Sequence, residues 1–130
     1  MQTAPHAPMT RLVVVIDDDP VIREAMDGLL RSWGYQVLTA ASSEAALALL
    51  GRDQQRPDLI ISDFDLADGK TGIEAIERLR GAFDIPALLI SGSAEPARSQ
   101  QGRARYHVLY KPVDPAALQA MLKRLIAGEA

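Results

Sequence analysis

Leu12-Val13-Val14-Val15-Ile16-Asp17-Asp18-Asp19-Pro20 sets an unbroken apolar run directly against three carboxylates and a proline. Four of the five apolar residues are β-branched, which suits a central strand covered on both faces, as in a parallel sheet. Asp19 can then cap a helix with Pro20 at its first position. Ile22, Met26, Leu29, Leu30 and Trp33 recur at helical spacing as that helix's buried stripe, and Gly34 ends it.

The same alternation of a short apolar run with a longer helical period continues to the end of the chain. Tyr35 to Thr39 predicts a second strand, and Ser43 caps a helix carrying Leu47 and Leu50 that stops at Gly51. After the loop Arg52 to Pro57 comes a third strand, Leu59 to Ser62, and a third helix from about Gly72 through Ile73, Ile76 and Leu79. Ala87 to Ile90 is the fourth strand. The polar stretch Ala94 to Arg103 predicts a short, irregular or mobile helix. Val108 to Tyr110 is the fifth strand, and a final helix starts near Pro115 with Leu118, Met121, Leu122 and Leu125 facing inward. Repeated βα units with right-handed crossovers predict an α/β fold with a doubly wound parallel sheet, which binds ligands at the carboxyl edge where strand order reverses.

Residues 1–10, rich in Pro, Ala and Thr, are expected to be a disordered leader or linker, residues 11–127 one domain and residues 128–130 a tail. With two residues after Gly128, no output domain is expected in this chain. A chain of 130 residues is of one-domain size and can bury roughly two thirds of its unfolded surface. The net charge of -3 argues against a broad nucleic-acid footprint. Cysteine is absent, which excludes disulfides, thiolate metal sites and cysteine nucleophiles and suits a reducing cytoplasm. The longest apolar runs fall far short of the roughly 20 residues that span a bilayer, and residues 1–10 lack the apolar core of a signal peptide.

Three chemical features each follow a predicted strand: Asp17-Asp18-Asp19, then Asp63 closing Leu59-Ile60-Ile61-Ser62, then Lys111-Pro112. A parallel sheet gathers such residues at one edge. Several carboxylates and one ammonium at one point are costly unless a divalent cation or a phosphoryl group joins them. Asp63 is thus a candidate phosphate acceptor. Gly69-Lys70-Thr71-Gly72 fails as a phosphate loop, because the position that should hold its first glycine is Phe64. His6 and His107 have no metal-ligand spacing.

The four segments Val-Val-Val-Ile-Asp-Asp-Asp-Pro, Pro-Asp-Leu-Ile-Ile-Ser-Asp, Leu-Leu-Ile-Ser-Gly and Tyr-Lys-Pro-Val, in that order, resemble the receiver domain of two-component response regulators, over Arg11 to Ala127. The resemblance implies a flavodoxin-like (βα)5 fold with strand order 2-1-3-4-5 and Asp63 as phosphoacceptor. It implies Mg2+ held by Asp17, Asp18, Asp63 and the backbone carbonyl of Asp65, with Asp17 acting largely through a water. It makes Lys111 the ammonium that pairs with Asp63 and later with phosphoryl oxygens, Pro112 a proline after a commonly cis bond, and Ser91 the hydroxyl that bonds the phosphoryl group. Gly92 would keep the loop after Ser91 close to the ligand, and Asp65 and Ser93 would affect access of hydrolytic water. The implied donor is a histidine kinase or a histidine phosphotransfer protein in the cytoplasm, without direct contact to nucleic acid or membrane; a weak homodimer is left open.

One departure is plain: the aromatic residue this family usually carries three positions before the lysine is Val108 here, whose stiff side chain cannot report phosphorylation by swinging. With Leu109-Tyr110-Lys111-Pro112-Val113, it is similar to receivers at the carboxyl end of hybrid sensor histidine kinases. Two alternatives stand beside it. Asp63-Phe64-Asp65 resembles the nucleophile motif of haloacid-dehalogenase-type phosphatases, with Asp65 as general acid, although the second acidic cluster here precedes the nucleophile. A pseudo-receiver would keep the fold without phosphotransfer.

Overall fold

The computed structural model describes residues 10–93 and 106–128. Its sheet has five parallel strands in the order β2-β1-β3-β4-β5: β1 (Leu12–Ile16), β2 (Gln36–Ala40), β3 (Leu59–Asp63), β4 (Ala87–Ser91) and β5 (His107–Tyr110). Among the described residues, α1 (Pro20–Ser32), α2 (Ser43–Asp53), α3 (Gly72–Arg80) and α4 (Pro115–Ile126) cover it. The flavodoxin-like order is the one expected, with its reversal between β1 and β3.

Side chains of a strand alternate between faces, and the core divides accordingly. Val14, Ile16, Ile60 and Leu89 pack with Ala46, Leu50, Ile76 and Leu79 of α2 and α3. Val13, Val15, Ile61 and Leu88 pack with Leu30 of α1 and Leu118, Leu122 and Leu125 of α4. Central strands covered on both sides need no polar alternation, hence the fully buried Leu12–Ile16 run. The register pairs Ile16 with Ser62, Asp63 with Ile90 and Ser91 with Tyr110. Asp17, Asp63, Ser91 and Lys111 therefore come to one edge of the sheet.

Local signals decide most helix ends. Asp19 caps α1 by accepting from the Val21 amide, with Pro20 in the first turn, and Gly34 leaves it at φ 95. Thr71 and Glu74 form a reciprocal capping box on α3. Three expectations need correction. Ser42 caps α2 in place of Ser43, which is buried. That helix runs through Gly51 to Asp53 and turns at Gln54, which takes the left-handed conformation. Ile22 is 40% exposed and does not belong to the buried stripe of α1. The expected leader, apart from Thr10, and the expected irregular helix over Ala94 to Arg103 lie outside the described residues.

Candidate functional site

Asp17 follows β1 and is almost fully buried, at 6% exposure. Its backbone is pinned on both sides, the amide donating to the Ala40 carbonyl at 3.1 Å and the carbonyl accepting from the Arg23 guanidinium at 2.7 Å. Its Oδ1 accepts from the Asp19 amide at 2.9 Å. Carboxylate oxygens of Asp17, Asp18 and Asp63 lie within 4.8 Å of one another. Lys111 closes the group, its Nζ 2.9 Å from Asp63 Oδ1. The Lys111 amide donates to the Ser91 carbonyl at 2.8 Å, and the Lys111–Pro112 bond is cis.

The electrostatics follow from that crowding. Burial pushes the Asp17 carboxyl above its ordinary range, and the charges of Asp63 and Asp18 add to the effect; the Asp19 amide and Lys111 oppose it. The Lys111 ammonium is raised chiefly by its hydrogen bond to Asp63, with Asp17 and Asp65 contributing and burial opposing. Three carboxylates facing one ammonium leave an uncompensated negative charge. All the clustered donors are hard oxygens, the set a small divalent cation such as Mg2+ takes, and Mg2+ needs few protein ligands because it keeps several waters.

Ser91 is fully buried, and its hydroxyl donates to the Ser93 carbonyl at 2.9 Å and accepts from the Ser93 amide at 3.1 Å. It is engaged with its own loop here. Asp65 is exposed and bridges to Thr71; its carboxylate is not among the three clustered carboxylates found in the described residues. Gly92 is not held by steric need, since a Cβ there would meet only the Lys111 side chain at 3.9 Å. Val108 is partly buried against the α2/α3 layer. Sequence reasoning missed two residues, Arg23 and Ser62. Arg23 was signalled only by its place one turn after the Asp19 cap, and Ser62 by being the one hydroxyl in an apolar run.

The response regulator receiver domain family matches residues 13–123 of the chain. The chain belongs to that family. As a receiver domain it is a module of two-component signalling, and its likenesses agree. It is 26% identical over 120 residues to the phyllosphere-induced regulator PhyR of Methylorubrum extorquens, covering 92% of this chain and 45% of that protein. The solution structure of the Erythrobacter litoralis PhyR receiver domain superposes with a TM-score of 0.81 at 26% identity, covering 92% of both chains. Vibrio cholerae chemotaxis protein CheY4 does so with a TM-score of 0.77 at 30% identity, over 89% of this receiver and 98% of that chain. The receiver spans half or less of the length of the curated relatives it matches.

Proposed function

We propose that the receiver accepts a phosphoryl group on Asp63 from a phosphohistidine of a histidine kinase or phosphotransfer protein. The observation that carries this is the Lys111 ammonium at 2.9 Å from a carboxylate that itself sits among two others. An Asp63 carboxylate oxygen forms the new bond to phosphorus as the P–N bond of the donor breaks; the electron pair goes to the imidazole nitrogen, which takes a proton from solvent. Lys111 then pairs with oxygens of the transferred group. Asp17, Asp18, Asp63 and the carbonyl of Asp65 are the residues that would hold Mg2+. When bound, that ion supplies neutralisation of charge on the phosphoryl oxygens.

Ser91 would release the Ser93 backbone to bond the phosphoryl group, drawing the loop after β4 inward and shifting a pre-existing equilibrium. With Val108 in the aromatic position, that shift is carried without a rotating ring. Val21 and Ile22, exposed by 69% and 40% beside the acidic cluster, offer the donor an apolar landing place at the start of α1. The domain would span residues 11–127 and act in the cytoplasm, where such donors expose their phosphohistidine. Among the described residues no helix is long and apolar enough to cross a membrane. The phosphatase alternative is not favoured, because the receiver family matches residues 13–123 of the chain.

Incubation with acetyl phosphate and Mg2+ followed by intact-mass measurement tests the acceptor. The expected adduct is about 80 Da on the wild type and absent from Asp63→Asn. An adduct on both would place the acceptor elsewhere.

A further inference from the structure

Ser62 and Gly72 converge on one atom, the backbone carbonyl oxygen of Asp63. Ser62 is fully buried, and its hydroxyl donates to that oxygen at 3.0 Å. Gly72, the first residue of α3, approaches the same oxygen from the helix side. A Cβ there would stand 2.3 Å from the Asp63 carbonyl, 2.8 Å from Leu89 Cδ2 and 2.9 Å from Ser62 Oγ, where real Cβ contacts essentially never fall below 3.0 Å. The Gly72 amide donates to the Phe64 carbonyl at 2.7 Å, and the Phe64 amide donates to the Ile90 carbonyl at 2.8 Å. The peptide leaving Asp63 is thus held from the sheet, from its own neighbour and from the N-terminus of α3.

We infer that Ser62 and Gly72 are positioning residues that set the place of the Asp63 carboxylate through its backbone. The inference rests on Asp63 being the phosphoacceptor. Its physical basis is the stiffness of the linkage: the carbonyl and the carboxylate share one Cα, so moving the first moves the second. The Asp63 carboxylate works at 2.9 Å from Lys111 and inside a 4.8 Å trio, a spacing that a sub-ångström displacement disrupts. Misplacement of reacting groups by about 1 Å can cost on the order of 100-fold in rate. Both residues meet the Asp63 backbone carbonyl and not its carboxylate. Ser62 lies on the α2/α3 side of β3, opposite to the Asp63 side chain, because neighbouring strand residues alternate.

The test compares Ser62→Ala, Gly72→Ala and Leu79→Val with the wild type and with Asp63→Asn. Leu79→Val loosens the core beneath α3 without approaching the Asp63 carbonyl. Each variant of the 130-residue chain is followed by Trp33 fluorescence for thermal unfolding, by mass for the rate of adduct formation from acetyl phosphate and Mg2+ well below its midpoint, and by titration with beryllofluoride. We expect Ser62→Ala to react about tenfold more slowly and Gly72→Ala about 100-fold more slowly, both with weaker beryllofluoride binding, while Leu79→Val loses stability and keeps the wild-type rate. Wild-type rates in folded Ser62→Ala and Gly72→Ala would overturn the inference, as would equal slowing in Leu79→Val. Should Gly72→Ala not fold, Ser62→Ala decides alone, since it inserts no new atom. An adduct on Asp63→Asn would instead remove the acceptor assignment, and the positioning role with it.

Discussion

Asp17 shows what it costs to bury a carboxyl among other carboxylates. Its carboxyl is held above the ordinary value of 3.8, first by burial and then by Asp63 and Asp18. The native state therefore keeps the proton more readily than the unfolded chain. The contribution of Asp17 to stability is full below its ordinary value and is lost as pH rises through the raised native one. At neutral pH without metal, ionised Asp17 opposes folding. Asp17→Asn keeps an acceptor for the Asp19 amide while removing the charge, so its melting temperature in chelator at pH 7 should exceed the wild type's by a few degrees, the shift that about 1 kcal/mol produces in a domain this size. The advantage should shrink as pH falls toward 4. Trp33 fluorescence melts at several pH values would check this, and an equal or lower midpoint at pH 7 would refute it. Lys111 has the same sign, its contribution persisting below the ordinary lysine range and fading only above it, but its side chain is 45% exposed and solvent screens much of the effect.

Elements away from the site carry less functional tension, and the middle of α1 can be stabilised independently of it. Gly28 lies in the interior of α1, exposed, with nothing within 4 Å of where a Cβ would sit. Gly28→Ala should stabilise the domain by about 0.5–1 kcal/mol by removing unfolded-chain entropy, visible as a higher urea midpoint at unchanged slope. Thr71→Ala, which breaks the capping box of α3, should cost about 1 kcal/mol in the same titration. At this scale the chain is legible wherever one local signal has no rival. Asp19-Pro20 could cap only one helix, and the β-branched run of β1 could be only a buried strand. Ser42 and Ser43 are rivals, and burial of Ser43 under the α2 layer left Ser42 outside to cap. Gly51 looked like a stop, yet with open space around it a glycine is tolerated inside a helix, and the left-handed turn fell to Gln54. Ile22 keeps the helical period but lies in the first turn of α1, where it lines an open cavity with Met26, Lys111 and Pro115 and stays 40% exposed.

For the whole molecule, the proposed binding of a cation by the cluster of like charges would be linked to folding. Mg2+ bound only by the native state should raise stability by RT ln(1 + [Mg2+]/Kd), about 2.7 kcal/mol at 100 times Kd. The gain should be reversed by chelator and reduced at the same Mg2+ concentration in Asp17→Asn. Unfolding midpoints across a Mg2+ series would measure it, and a flat response in the wild type would mean the trio holds no ion. The sequence alone settled the βα alternation and the two-sided burial of the sheet, and it singled out Asp17, Asp18, Asp63 and Lys111 as charged residues following strands, while Ser91 came from the resemblance. What required the tertiary structure was everything that depends on a distance between elements: the 2.9 Å Lys111–Asp63 pair, the turning of the Ser91 hydroxyl toward Ser93, the Arg23 grip on the Asp17 carbonyl and the approach of Gly72 to Asp63. Periodicity reports which face a residue occupies, whereas contacts across a sheet edge depend on register and helix placement, which no local stretch of chain encodes.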